Sequence, residues 1–408
     1  MSDQRQKLST VKRRGRRGTI ATAVMTVGAL ALAGCADDGG GGGSEFSGEV
    51  KIGLLQPFTG AAALAAAEIR NGVDLAVEEI NSTGGIDGKQ LVVDEFDTKL
   101  DPATAVSVFT RAVSQAGVVG IVGPYATSEV VAITPISARL TTPFISPTVS
   151  TTSVTVGDDK EFVFRSGVVN EDVTRKNIEM AVGLGCEKPA LIHDDGGYGV
   201  DYRDGVGAQI GEYDLELVGV ESMPVSPTDI TPQIQSIAAA GADCVFFGGS
   251  AGASGGLVIK TMATVGIPLP VIGPDSLITE DARRVAAGAM DEIGGVYAVQ
   301  ALDQEKPKVV ELHDLYVETY DSEPVSPFWV SAYDATHLLA AGLRKSGGEG
   351  GDALREALES LTLDDYVQAY GGPDAEGGYG PGDHNWNSGD YLISYKVTSV
   401  DVTRADIG

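Results

Sequence analysis

Short apolar runs alternate with amphipathic helical stretches along this chain, and the pattern occurs twice in succession. In the first block the runs are Val50–Leu55, Leu91–Val93, Val118–Val122 and Phe144–Ile145. Between them Val73, Ala76, Val77 and Ile80 fall at i, i+3, i+4 and i+7, as do Ala105, Val108, Phe109 and Ala112. That is the spacing of a helix burying one face. In the second block, runs at Ala190–Ile192, Leu217–Val220, Cys244–Phe247 and Val271–Ile272 alternate with helical segments near 199–212, 229–240 and 253–265. Continuous rather than alternating apolar runs mark strands covered on both faces. Strands of that kind interleaved with helices form a parallel, doubly wound sheet. Two blocks give two α/β lobes.

The remainder is assigned around those lobes. Residues 300–382 are mostly helical, with Ala335, Leu338, Leu339 and Gly342, then Leu354, Ala357, Leu358 and Leu361, at helical spacing. This part is too strand-poor for a third lobe and is expected to pack on one of the other two. Tyr391–Val402 reads as a terminal strand pair, and Gly371–Gly389 is rich in turn residues and expected to be irregular.

The N-terminus carries an address. Basic residues from Lys7 to Arg17 precede an uncharged apolar stretch from Thr19, which closes on Leu32-Ala33-Gly34-Cys35. These are the parts of a secretory signal. A cysteine at the cut resembles a bacterial lipoprotein signal, with Cys35 acylated as the new N-terminus. The apolar run falls short of the roughly 20 residues a membrane span needs. Asp37–Ser44 is then a Gly/Ser leash. The expected division is a signal peptide over 1–34 and an anchor and tether over 35–48. Lobe 1 would take 49–165 and 298–392, and lobe 2 would take 166–297 and 393–408. Three crossover strands near 165, 297 and 392 would form the hinge.

Charge and chemistry narrow the function. The 57 acidic side chains outnumber the 29 basic ones, and seven of those basic ones precede residue 35. Nucleic acid is excluded as a partner, since phosphate binding needs the opposite sign. The four histidines are scattered, and there is no HExxH, GxSxG or P-loop. No cofactor or metal is called for, and no enzyme constellation is found. Asp194-Asp195-Gly196-Gly197 reads either as a solvated loop or as a ligand contact at a strand end. His337 reads as a packed core residue, and His313 and His384 as exposed. Two stretches supply hydroxyls at the carboxyl ends of first-block strands, Gly123-Pro-Tyr-Ala-Thr127-Ser128 and Ser146-Pro-Thr148-Val-Ser150. A helix start beside them adds free amide N–H groups suited to a carboxylate, although Thr127 or Ser128 could equally be a helix cap. The matching edge of the second block holds Gly196-Gly-Tyr198-Gly199 and Gly273-Pro-Asp275-Ser276. Donors on one lobe, with an aromatic ring and a carboxylate on the other, complement a zwitterion.

These stretches, in order, resemble the branched-chain amino-acid-binding proteins, the type I substrate-binding proteins of ABC importers. The resemblance runs from Val50 to about Val402. It is carried by Ile52-Gly-Leu-Leu-Gln-Pro-Phe-Thr-Gly60, Ala76-Val-Glu-Glu-Ile-Asn81 with Gly84-Gly-Ile86 and Gly88, Asp97 and Asp101-Pro102, Gly123-Pro124, Ser146-Pro-Thr148, His193-Asp194 with Tyr198-Gly199, and Gly273-Pro274. It implies two Rossmann-like lobes on a three-strand hinge. It also implies a carboxylate site at Thr127, Thr148 and Ser150, an ammonium site at Asp275 in place of a glutamate, and cleft tyrosines at Tyr198 and Tyr333. Two other family tyrosine positions read here as Ala65 and Ser250, which would admit a larger or more polar solute. The implied function is an exported, lipid-anchored and monomeric binding protein that delivers an amino acid to an ABC permease. Binding of an amide, urea or small carboxylate is the alternative; an exported hydrolase or an adhesive surface protein stands further off.

Cys186 and Cys244 remain once Cys35 carries the lipid. Cys186 lies just before the first strand of the second block and Cys244 opens its third. In strand order 2-1-3-4-5 those strands are neighbours, and being parallel they bring both cysteines to the edge opposite the ligand. In an exported chain the two are placed to bridge.

Overall fold

The computed structural model describes residues 46–60, 62–157, 159–302, 305–324, 326–369, 376–388 and 392–407. Cys35, the signal before it and most of the tether lie outside the described residues. The first block forms a parallel sheet from β1 (Glu49–Gln56), β2 (Gln90–Asp97), β3 (Gly120–Val122), β4 (Phe144–Ser146) and β5 (Val163–Arg165), in the order β2-β1-β3-β4-β5. Helices α1 (Ala63–Ser82), α2 (Pro102–Arg111) and α3 (Thr127–Leu140) connect its strands. Each strand presents both faces to apolar cover. Ile52 and Leu54 meet Ile69 and Val73 of α1, while Leu55 and Ile121 meet Val108, Phe109, Val130 and Ile133 of α2 and α3. Asp101 starts α2 as an N-cap, its carboxylate accepting from Thr104 N at 2.7 Å with Pro102 next in the helix.

The second block repeats the plan. Its strands are β6 (Pro189–Asp194), β7 (Gly219–Met223), β8 (Cys244–Gly248), β9 (Val271–Pro274) and β10 (Val296–Gln300). The helices are α4 (Asn170–Gly183), α5 (Gly197–Gln209), α6 (Thr231–Ala239), α7 (Gly252–Val265), α8 (Glu280–Ala286) and α9 (Ala289–Glu292). The order β7-β6-β8-β9-β10 is again 2-1-3-4-5. Leu191 and Phe246 pack with Ile178 and Val206 on one face, and Ile192 and Phe247 with Ile234, Val258 and Met262 on the other.

The helical remainder, α10 (Pro307–Tyr320), α11 (Phe328–Lys345) and α12 (Gly351–Glu359), returns to the first sheet, where α11 lies along α1 and against β3. Close approach of α1 and α11 requires Gly72, because a Cβ there would sit 2.0 Å from the Trp329 carbonyl oxygen. Within the turn-rich segment a two-residue ladder joins β11 (Glu376–Gly377) to β12 (Asn387–Ser388). The chain then re-enters the second sheet as β13 (Ile393–Val397), antiparallel to β10, and ends in β14 (Val402–Arg404).

The crossover strand expected near 297 is β10, which runs on to Gln300, since Ala298, Val299 and Gln300 still pair with β13. The structure corrects one expectation here. His384 is buried, at 2% exposure, rather than exposed. Its ring stacks on Phe164 at 4.1 Å, and its Nε2 lies 3.2 Å from Glu359. The neighbouring Asn385 bridges Arg165, so this segment clasps the end of β5. His337 packs where expected, stacked on Tyr366.

Cys186 and Cys244 are joined in a disulfide with Cα atoms 6.0 Å apart. Pro189 of β6 registers against Cys244 of β8, which sets the bond at the amino-terminal edge of the second sheet.

Candidate functional site

The carboxyl-terminal ends of the strands in both sheets converge on a cavity of about 280 Å³. Open parallel sheets bind ligands at this edge, where the loops meet freshly ended strands. From the first sheet, the loop after β3 contributes Tyr125, Ala126 and Thr127, and the loop after β4 contributes Pro147 to Ser150. From the second come Tyr198 after β6, Ser250 after β8, and Asp275 with Ser276 after β9. Gly123, at φ +111, lets the first of these loops turn. A Cβ there would meet the Leu55 carbonyl oxygen at 2.2 Å.

The lobe 1 wall is built to donate hydrogen bonds. Thr127 is the first residue of α3, and the cap is Ala126, whose N–H donates to Glu129 Oε2 at 3.0 Å. Thr127 is therefore not spent on capping. The Glu129 amide donates to the Ala126 carbonyl at 3.0 Å, which leaves the Thr127 and Ser128 amides as the ones without an acceptor inside the helix. Among the described residues, neither the Thr127 nor the Ser150 hydroxyl has a protein partner. Thr148 differs. It lines the cavity, but its hydroxyl donates to the Tyr125 carbonyl at 2.7 Å and ties the two loops together. It positions the wall rather than supplying a free donor.

The lobe 2 wall accepts. Burial pushes the Asp275 carboxyl up to about 6, partly offset by the Ser276 amide donating to it. Among the described residues no cation pairs with it. Ser276 donates its hydroxyl proton to the Gly249 carbonyl at 2.7 Å, and Ser250 donates its own to Asp194 at 3.0 Å, so both oxygens keep only lone pairs to offer. Tyr198 and Tyr125 stay protonated, because burial first, and then the Asp275 charge, raise both phenols.

Five of the six expected ligand residues, Thr127, Thr148, Ser150, Tyr198 and Asp275, thus share one cavity, and Tyr333 does not. It is 1% exposed on α11, its hydroxyl donates to Glu79 of α1, and its ring lies against His337. The family resemblance implied a cleft tyrosine here, whereas Tyr333 packs on the face of α11 that meets α1. Asp194 is neither solvated nor in the cavity wall. It is buried and accepts from Gly196 N at 3.0 Å and Ser250 N at 2.8 Å, bracing two loops of lobe 2. Ala65 lies outside the lining, on α1.

The sequence reading missed Phe328, Gln300 and the floor. Phe328 begins α11 and meets Tyr125 edge-on at 6.0 Å. Gln300 ends β10 beside Val299 and Ala301. Gln300 and the floor lie where the chain crosses between sheets, a place marked only by the expected hinge, whereas Phe328 reaches the cavity from the start of α11.

Comparison with known proteins agrees with this architecture. A sequence model of the family "Periplasmic binding protein" matches residues 49–393. A Leu/Ile/Val-binding protein homolog from Brucella melitensis is 26% identical over 318 residues, covering 76% of this chain and 83% of the relative. Among solved structures, the branched-chain amino acid transporter substrate binding protein LivJ from Streptococcus pneumoniae, in complex with isoleucine, superposes with a TM-score of 0.71 at 24% identity. That match covers 88% of this chain and 99% of the other. A solute binding protein of an ABC transporter from R. palustris, in complex with 4-hydroxybenzoate, superposes with a TM-score of 0.73 at 20% identity, covering 86% and 93%. At these identities the superpositions speak to the fold, two Rossmann-like lobes of the type I kind.

Proposed function

The chain belongs to the periplasmic binding protein family, and from that premise we propose that it captures an α-amino acid between its lobes for an ABC permease. Family membership implies an extracytoplasmic location. The observation that carries the reading is Asp275, a carboxylate without a cationic partner among the described residues, facing a wall of donors across one cavity. The ligand ammonium pairs with Asp275. Its carboxylate takes the α3 amides and the Thr127 and Ser150 hydroxyls, with Thr148 holding that wall in place. Tyr198 covers the ligand from lobe 2. A volume near 280 Å³ suits a metabolite smaller than a drug.

Binding works by closure about the three crossovers, ligand contacts on both walls favouring the closed state. The chain acts as a monomeric receptor rather than as an enzyme. Lobe 1 takes 49–165 with the segment from the second crossover to 392, and lobe 2 takes the rest of the folded body.

Aromatic carboxylates form the competing class, because Tyr125 and Phe328 supply rings and one structural neighbour was solved with 4-hydroxybenzoate. Asp275 disfavours them, since an acid without an amine leaves that carboxylate buried and unpaired. A thermal-shift screen of free amino acids, amides and benzoates on the purified protein separates the classes. Free amino acids should raise the melting temperature at millimolar concentration. A response to benzoates alone would overturn the proposal.

The body is held at the membrane through a lipid on Cys35, which the Leu-Ala-Gly-Cys ending and the glycine-rich leash support. Cys35→Ser should shift the protein out of the detergent phase or leave its signal uncleaved. Unchanged partition of that variant would contradict anchoring.

A further inference from the structure

The floor of the cavity is made by the crossovers themselves. The chain passes between the sheets after β5, after β10 and before β13, and each passage puts an apolar residue into the lining. Val168 comes from the first, Ala301 from the second and Leu392 from the third, with Val299 beside Ala301. All four pack into the one apolar cluster that runs through both lobes, joining Ile52 and Leu54 of the first sheet to Leu191 and Phe246 of the second. The carboxylate and hydroxyl groups stand on the two walls, and Gln300 lies beside the floor at the end of β10. A ligand whose charged ends are held by the walls has this floor within reach of its hydrocarbon portion.

That placement has a mechanical consequence. Closure twists the crossovers about one another, so the side chains they carry change their spacing as the lobes rotate. A solute seated on the floor is touched by all three at once. Cores tolerate neither voids nor excess volume, so added bulk there keeps the crossovers from reaching their closed arrangement.

We infer that the hinge strands read the size of the solute's side chain, with Ala301 leaving the room for it and Leu392 and Val168 bounding it. This rests on the amino-acid reading above and extends it, assigning specificity to the hinge rather than to the lobe walls. Ala301 is the smallest of the three, lines the cavity and is otherwise packed in at 1% exposure, so bulk added there has the cavity to grow into.

The test is calorimetric titration of wild-type and variant protein with glycine, alanine, valine, leucine and phenylalanine. Ala301→Leu should weaken binding of the larger side chains by about tenfold or more while alanine and glycine stay within about threefold of wild type. Leu392→Ala should move the preference the other way, improving phenylalanine relative to alanine by about threefold or more. If Ala301→Leu does not fold, the Leu392→Ala ratio decides. Variants that weaken every ligand by one common factor, or change none, overturn the hinge assignment while leaving the amino-acid reading intact. A wild-type protein that binds no member of the series overturns both.

Discussion

Asp275→Asn should weaken amino-acid binding on the order of 10–100-fold, the loss of a charge-assisted hydrogen bond worth roughly 1.5–3 kcal/mol. The same substitution should stabilise the empty protein at neutral pH. Burial raises the Asp275 carboxyl from 3.8 to about 6 in the folded state, so folding opposes its ionisation. The stability associated with the protonated form is fully present below pH 3.8 and is lost as pH rises through about 6. Above that, the ionised carboxylate costs up to about 3 kcal/mol, which asparagine removes. The variant should thus melt above wild type at pH 7.5, with the difference shrinking toward pH 4. Ligand affinity runs the other way. Protons compete with the ammonium, so wild-type affinity should fall about tenfold per unit as pH drops below about 6, and the variant should lack that dependence. Equal wild-type and variant affinities at pH 7.5 would remove Asp275 from the site.

Reduction of the Cys186–Cys244 disulfide should cost more stability than any single side chain discussed here. The bond spans 58 residues of sequence and closes a loop worth about 4 kcal/mol in the chain-entropy picture. Asp243, next to Cys244, accepts from the amides of Glu187 and Lys188 at 2.9 Å each, so a second clasp holds the same two segments. Part of the local geometry therefore survives reduction, and the measured loss should fall somewhat short of the full loop term. The bond sits at the opposite edge of the sheet from the cavity. Reduced protein should consequently melt several degrees lower while its affinity at 25 °C stays within about twofold. Two free thiols titrating in unfolded, unreduced protein would end this account.

The sheets were legible because parallel strands buried on both faces leave apolar runs, and eight of those runs correspond to β1–β4 and β6–β9. Helix α4 was not. Its buried face uses Thr174 and Asn177 alongside Val173 and Ile178, and Asn177 spends its amide on the Tyr202 hydroxyl at 2.7 Å. A polar residue satisfied by a partner in a distant segment looks like a surface residue in sequence. Strand β5, expected only as the crossover strand near 165, ends in Arg165, which is buried against Asn385. His384 looked exposed because turn-rich composition says nothing about what a loop lies upon.

The site divides along the same line. Thr127, Ser150 and Asp275 were readable because each lies within five residues of a strand end, where position along the chain nearly fixes position in the cleft. Tyr333, on a helix that could face α1 or the cavity, needed tertiary packing to place. Ser250 keeps its place in the lining, and its hydroxyl proton goes to Asp194. The floor residues Val168, Ala301 and Leu392 carry no chemical signature at all. Only the crossing of the chain between two sheets brings them together.

The central claim is that Asp275 meets a ligand ammonium while lobe 1 meets its carboxylate. Calorimetric titration with one amino acid, its methyl ester and its amine-free acid, on wild type and Asp275→Asn, tests both ends together. The account predicts that wild type binds the intact amino acid at least about tenfold more tightly than either analogue. It also predicts that the advantage over the amine-free acid largely disappears in Asp275→Asn, while the penalty for the ester remains. Wild-type protein binding the ester or the amine-free acid as tightly as the amino acid would contradict it.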